Sequence, residues 1–114
     1  MTAKDKYAVA ALAFTFISLT QDGADTFRDI LNTLNISYEE FNNYVKQLPR
    51  NENTRYAIYN QIRKLSPTDK GTIRSILYDA YANGGKSKID ASYTAFYFRE
   101  MIDKCDIANT HINL

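Results

Sequence analysis

Side chains that perform covalent catalysis are scarce in this chain of 114 residues. It has one histidine, His111, and one cysteine, Cys105. Cys105 falls on an apolar helical stripe, where a free cysteine usually behaves as a small hydrophobic side chain. The sequence contains none of the short motifs typical of zinc proteases, serine hydrolases, phosphate-binding loops or paired-cysteine sites. We therefore predict a protein that is not an enzyme.

Three carboxylates, Asp22, Asp25 and Asp29, lie close together after the first apolar segment. Hard divalent cations bind several oxygen ligands, so Asp22 and Asp25 are candidate metal ligands. Acidic side chains near the start of a helix are also stabilised by the helix dipole, without any metal. Because the spacing differs from that of a calcium-binding EF-hand loop, we expect no cofactor and keep a divalent cation as the alternative.

Charge is distributed unevenly along the chain, although its formal net charge is only +1. Residues 46–74 carry seven basic and two acidic side chains, whereas residues 1–45 carry three basic and six acidic ones. The basic region places tyrosines beside arginines, which suits a binding surface and equally suits a solvated helix whose arginine stems cover apolar surface. We predict a surface for a protein partner formed by Arg55, Tyr56, Tyr59 and Arg63.

A second candidate surface belongs to residues 27–46, whose apolar spacing and short turn are typical of a helix-turn-helix. Two glutamates at the start of the second helix of this pair, Glu39 and Glu40, would repel DNA phosphates. A small DNA-binding regulator is therefore the alternative to protein binding. The DNA-binding residues in this alternative are Tyr38, Asn42, Asn43 and Lys46.

Hydrophobic periodicity and capping signals predict six helices and no strand. Ser37 and Glu40 form a capping box before the third helix, and Ser66 followed by Pro67 marks the start of the fifth. Asp90 or Ser92 is expected to cap the sixth, after an exposed link at Lys86–Lys88. The predicted helices run from about Lys4 to Gln21, Asp25 to Leu34, Tyr38 to Leu48, Glu52 to Leu65, Pro67 to Ala82, and from the last cap to Cys105.

The first predicted helix is apolar on most sides, which is typical of a central helix surrounded by the others. Ala8, Leu12, Phe16 and Leu19 follow one helical face. The uncharged run from Tyr7 to Thr20 is shorter than the roughly 20 residues that cross a bilayer. We therefore expect a buried helix, no membrane span and a compact bundle.

Two dipeptides, Asp22-Gly23 and Asn83-Gly84, each follow an apolar helical segment and are predicted to end it. The preceding apolar residues align at a constant offset of 61 positions. Two pseudo-repeated helical hairpins would explain this agreement, and so would the shared period of any two amphipathic helices. The aligned residues are Leu12, Phe16 and Leu19 in the first segment, with Ile73, Leu77 and Ala80 in the second.

The overall composition is that of one folded domain, with 45% hydrophobic and 24% charged residues. Residues 1–114 are therefore expected to form a single all-α domain. One cysteine cannot form an internal disulfide, so no oxidising compartment is required and we expect a cytoplasmic protein. The oligomeric state and the identity of the partner stay open.

Several short motifs resemble those of the TerB-like domains of tellurite-resistance proteins. The resemblance implies an all-α bundle of two related halves, a role in stress-response or membrane-associated assemblies, and metal binding in some members by acidic residues after Asp-Gly turns. Asp22 and Asp90 are the positions to which such ligands carry over, while Asn83 stands where the family prefers aspartate. The leading hypothesis is therefore a non-enzymatic helical interaction module of a stress-response assembly. The motifs are Asp22-Gly23, the L-x-x-L-x-I-S-x-E-E-F segment from Leu31 to Phe41, Leu65-Ser66-Pro67, Asn83-Gly84 and Ile89-Asp90.

Overall fold

The computed structural model describes residues 1–108, which form an all-helical bundle without a named strand among them. The predicted fold class is therefore confirmed. Within this range no helix is both long enough and apolar enough to cross a lipid bilayer. The helices are α1 (Ala3–Phe14), α2 (Gln21–Leu34), α3 (Tyr38–Gln47), α4 (Glu52–Arg63), α5 (Pro67–Asn83), α6 (Lys86–Ile89) and α7 (Ala91–Lys104).

Local capping sets the starts of three helices, as the sequence predicts. Ser37 and Glu40 form the expected capping box at α3, with each side chain accepting a hydrogen bond from the backbone N–H of the other at 3.0 Å. The Ser66 hydroxyl caps α5, whose first residue is Pro67. The Asp90 carboxylate caps α7. Each of these signals lies within a few residues, so tertiary packing does not override it.

α1 lies in the middle of the bundle, in agreement with the sequence, and packs against α2, α3, α4 and α5. Ala8 and Ala10 lie two residues apart and point to nearly opposite sides of this helix, yet both are fully buried. A capping box between Thr2 and Asp5 begins it. Burial alone would raise the pKa of Asp5, but hydrogen bonds from Gln61 and Thr2 outweigh burial and hold the pKa below its usual range. The carboxylate therefore stays charged in the first turn of the central helix.

The predicted length of the first helix is wrong. α1 ends at Phe14 instead of Gln21, and residues 15–20 continue as a turn and a short extended segment. Leu19, which was expected to face inward, is 99% exposed. Apolar spacing alone predicts which residues would share a helical face, but it does not show where the helix stops.

A contact with a distant loop explains why α1 stops. The backbone N–H of Ser18 donates to the carbonyl of Gly84 at 2.8 Å, and the N–H of Lys86 donates to the carbonyl of Phe16 at 3.3 Å. These hydrogen bonds satisfy backbone groups that a longer helix would have paired internally. The end of the first helix is thus set by a segment more than sixty residues away.

Asp22-Gly23 does not end a helix but lies in the first turn of α2. That helix begins at Gln21 because the hydroxyl of Thr20 caps it, accepting a hydrogen bond from the N–H of Gly23 at 3.1 Å. Gly84, in contrast, is the residue that follows the end of α5. The repeat as aligned is therefore wrong, because its two glycines occupy opposite ends of their helices.

Three smaller predictions also need correction. The link expected at Lys86–Lys88 belongs to the short helix α6. The apolar spacing of Ala91, Phe98 and Ile102 predicts an inner stripe on α7. Ala91 is nevertheless exposed, whereas Thr94 and Met101 are fully buried. On α3 the spacing of Phe41, Val45 and Leu48 predicts that Val45 faces inward, but it is 39% exposed. Ala91 is exposed because it is the first residue of its helix, and Val45 lies at the edge of the buried face of α3.

Candidate functional site

The outer faces of α4 and α7 border a concave surface with a volume of about 640 Å³, here called the α4–α7 cleft. The two helices pack against each other beneath it. Tyr56 of α4 and Phe96 of α7 are 49% and 56% exposed there. The cleft is lined by Arg50, Asn51, Glu52, Arg55, Tyr56, Phe96, Tyr97 and Glu100.

Arg55 is held in this cleft by groups of α7. Its guanidinium carbon lies 4.2 Å from the centre of the Tyr97 ring, a cation–π contact, and its Nη1 lies 3.9 Å from a carboxylate oxygen of Glu100. Desolvation alone would lower the pKa of Arg55, but interactions with neighbouring tyrosine hydroxyls raise it above the usual value. The cleft therefore contains a charged arginine whose position is restricted before any partner arrives.

Tyr59 is not part of the surface, which corrects the sequence prediction. It is 1% exposed, and its hydroxyl donates a hydrogen bond to Glu100 at 3.0 Å. Burial, and then this hydrogen bond, raise the pKa of the Tyr59 phenol. Tyr59 thus joins α4 to α7 underneath the cleft. Its ring lies 5.8 Å from that of Tyr56, which it supports from below.

The other predicted residues of α4 divide between two places. Arg55 and Tyr56 line the α4–α7 cleft, whereas Arg63 does not. Arg63 is exposed two turns further along the helix and donates to the backbone carbonyl of Lys104 at 3.1 Å. The four residues therefore do not form one surface, and the arginine and tyrosine nearest the start of α4 remain as the candidate site.

Phe96 is the most exposed aromatic residue among the cleft residues that sequence reasoning missed. The inner stripe of α7 contains Phe98 and Ile102, so a phenylalanine at position 96 falls outside that stripe. A large aromatic residue on the outer face of an amphipathic helix is a signal that the sequence does offer. The edge-to-face contact between Phe96 and Tyr97, with ring centres 5.2 Å apart, extends the aromatic surface along α7, and Tyr97 in turn contacts Arg55 of α4.

The residues proposed for DNA binding all lie on α3. Tyr38, Asn43 and Lys46 are exposed and Asn42 is half-buried. The turn before α3 contains Asn35 in a left-handed conformation, so the local helix-turn-helix shape is present. Its outer face carries one lysine, with Glu39 exposed in the first turn. Nothing in this geometry tests DNA binding, which stays an alternative prediction.

The acidic residues proposed as metal ligands line a second concavity, about 610 Å³ in volume, between α2 and the end of α5. Asp22 and Asp25 both border it. One carboxylate oxygen of Asp25 already accepts hydrogen bonds from Gln21 at 2.8 Å and from Arg28 at 2.5 Å. Asp90 caps α7 instead. Within residues 1–108, no three side chains of the metal-binding types converge.

Cys105 is fully buried, as expected for a residue of the core. Burial raises the pKa of its thiol to about 12, so the reactive thiolate is scarce near neutral pH. His111, the other group with catalytic chemistry, lies outside the described residues. The prediction that the protein is not an enzyme therefore stays a prediction, based on the scarcity of nucleophiles and bases.

No family model matches this chain, and no match was found among curated proteins or solved structures. The resemblance to TerB-like domains accordingly stays a prediction from short motifs. The all-helical fold agrees with that resemblance but is shared by many unrelated families. The chemistry and shape of the surfaces are therefore the basis for a functional hypothesis.

Proposed function

We propose that this protein is a non-enzymatic interaction module that binds a protein partner through the α4–α7 cleft. The observation that carries the proposal is the exposure of two large aromatic side chains, Tyr56 and Phe96, on neighbouring helices around one concave surface. Exposed apolar residues that gather in one place indicate a binding surface more often than scattered ones do. Tyrosine, phenylalanine and arginine are also the residue types enriched at the centres of protein interfaces.

The floor of the cleft adds a second feature that favours binding. Arg55 already contacts Tyr97 and Glu100, so little side-chain entropy is lost when a partner covers it. Arg50 is exposed at the border and can pair with an acidic or carbonyl group of the partner. A restricted arginine against an aromatic ring is the arrangement expected of an interface hot spot.

The proposal also includes the cellular compartment and the kind of assembly in which the partner is bound. The sequence holds one cysteine, which is buried and unpaired, so the fold does not depend on a disulfide or an oxidising compartment. We place the protein in the cytoplasm on that basis. The TerB-like motifs support a stress-response assembly as the context in which the partner is found.

The test uses a photo-crosslinking residue at Asn51, which lines the cleft and makes no side-chain hydrogen bond as the cap of α4. The full chain carrying it is irradiated in cells, and the protein captured is identified, purified and titrated by calorimetry. Tyr56→Ala and Phe96→Ala are each expected to weaken binding by about tenfold or more. Circular dichroism checks that both variants keep the helical fold.

Tyr78 provides the matched control because it is an exposed tyrosine of α5 outside the cleft. A crosslinker at position 78 should not capture the same protein, and Tyr78→Ala should bind it normally. A partner whose affinity is unchanged in both Tyr56→Ala and Phe96→Ala contradicts the proposal. Salt-sensitive shifts of genomic DNA that disappear in the double variant Asn42→Ala/Lys46→Ala would instead support the DNA-binding alternative.

A further inference from the structure

A third concave surface lies between residues 15–20, α2 and the start of α3, and shares no lining residue with the α4–α7 cleft. Its volume is about 690 Å³, and most of its lining is apolar. Phe14 and Phe27 contact each other in it with ring centres 5.0 Å apart, and Tyr38 borders it at the start of α3. We call this surface the apolar groove.

Leu19 stands at this groove with its side chain 99% exposed. The residues on either side hold its backbone in place. Ser18 is buried and hydrogen-bonds to the carbonyl of Gly84 through both its N–H and its hydroxyl, at 2.8 and 3.1 Å. Thr20 caps α2. The exposure of Leu19 is therefore imposed by its neighbours, which prevent the side chain from turning into the core.

The concavity that Asp22 and Asp25 border, here called the acidic cleft, lies along the other flank of α2. Asp22, Asp29 and Asp79 line it together with Asp25, and Lys88 is the one basic residue among its lining. Ser18 and Thr20 line both this acidic cleft and the apolar groove, so the two surfaces are continuous. One helix thus separates a mostly apolar surface, whose one charged lining residue, Arg28, is paired with Asp25, from a negatively charged one.

We propose that the apolar groove and the acidic cleft together bind a basic amphipathic helix of a protein partner. The apolar face of such a helix would cover Leu19, Phe14 and Tyr38, as in other helix-in-groove complexes. Lysine or arginine residues along one flank would then face Asp22 and Asp29. Charge complementarity selects this occupant, because an acidic helix or an anionic lipid surface would be repelled by the same carboxylates.

The probe is a fluorescent peptide of about 18 residues, built from leucine and lysine with leucine at the spacing of one helical face. A matched peptide carries glutamate at every lysine position. Fluorescence anisotropy should show that the lysine peptide binds about tenfold or more tightly than the glutamate peptide. Leu19→Gln should weaken the lysine peptide by about tenfold, since it removes apolar contact at a position that does not support the fold.

The contribution of the acidic cleft to binding is tested by the double variant Asp22→Asn/Asp29→Asn, which keeps the shape of the cleft and removes two charges. It is also expected to weaken the lysine peptide, by about tenfold at low salt and less at high salt. Tyr78→Ala and Asp103→Asn change an exposed aromatic and an exposed carboxylate elsewhere and should bind normally. Tyr56→Ala and Phe96→Ala should also bind normally, which separates this proposal from the α4–α7 cleft.

Four results would overturn the proposal. Equal affinity for the two peptides would show that charge does not select the occupant. A loss of affinity in the aspartate variant without any loss in Leu19→Gln would show unspecific electrostatic attraction. Sedimentation of the protein alone as a dimer that dissociates in Leu19→Gln assigns the groove to a second copy of this chain. A rise in melting temperature with millimolar Ca²⁺ that is lost in Asp22→Asn/Asp29→Asn assigns the acidic cleft to a cation.

Discussion

Two corners of the molecule contain a glycine after an acidic or amide residue, and they contact each other. The first corner, residues 15–23, leads from α1 into α2, and the second corner, residues 83–86, leads from α5 into α6. Ser18 of the first corner hydrogen-bonds to Gly84 of the second. The Thr26 hydroxyl of α2 donates to the carbonyl of Asn83 at 3.0 Å. Each corner thus supplies hydrogen-bonding groups to the other.

Gly23 of the first corner and Gly85 of the second serve different physical purposes. Gly23 has an ordinary helical conformation, but a Cβ atom there would overlap the carbonyl oxygen of Ser18 and lie 3.0 Å from that of Gly84. Gly85 has a φ of +96°, which side chains other than glycine rarely adopt. Gly84, the glycine of the Asn83-Gly84 dipeptide, resembles Gly23, because a Cβ atom there would overlap the carbonyl oxygen of Phe16. Both dipeptides therefore need glycine for close approach, and the second corner also needs Gly85 for the reversal of the chain.

The largest expected effect is that of Gly23→Ala. The new methyl group would meet the backbone of Ser18, which cannot move without breaking the contact between the corners. We expect a loss of about 3 kcal/mol in the free energy of unfolding, measured by urea denaturation. Gly71→Ala, the same change inside α5, is the control and should be stabilising by up to about 1 kcal/mol. Equal stabilities of Gly23→Ala and the native chain would show that close approach is not why glycine is needed here.

Gly85→Ala is expected to cost about 2 kcal/mol, from the positive φ and from overlap with the Ser18 hydroxyl. Unlike the obstacle at Gly23, this one is a side-chain atom. Combining Gly85→Ala with Ser18→Ala should therefore give a smaller loss than the sum of the two single variants. A double-mutant cycle in urea measures the difference. Strict additivity would mean that conformational strain alone determines the cost at the second corner.

Ser18→Ala alone removes one hydrogen bond to Gly84 and one to Thr20, and leaves the backbone bond between the corners intact. The expected loss in the free energy of unfolding is about 1 kcal/mol. Ser92→Ala, at an exposed serine that does not cap its helix, is the matched control and should change stability little. A neutral Ser18→Ala would indicate that the backbone bond alone joins the corners.

The contrast between the corners also shows which parts of the fold the sequence predicts. Ser37 with Glu40, and Ser66 with Pro67, set helix starts through contacts inside one short segment, so they were recognised. Thr20 is an equally local cap, but the apolar spacing of the residues before it favoured a continuous helix. What interrupts that helix is the distant carbonyl of Gly84, which no local pattern reveals.

Local sequence patterns also do not show which residues of the candidate site a neighbouring helix buries. Tyr56 and Tyr59 lie one helical turn apart on α4, and both were predicted to face outward. Tyr59 is buried because α7 packs over it and Glu100 accepts its hydroxyl proton in a hydrogen bond. The sequence therefore predicts the helix and half of the surface, while the division between floor and border depends on which helix is the neighbour.

The smallest effect on stability is expected for Leu19→Ala. Leu19 lies two residues after Ile17 in the first corner, but Ile17 is buried and Leu19 is exposed. We expect Ile17→Ala to cost about 2 kcal/mol and Leu19→Ala to change the free energy of unfolding by less than about 0.5 kcal/mol. Both are measured by urea denaturation. A large loss in Leu19→Ala would mean that this side chain supports the fold, and its exposure would no longer indicate a binding role.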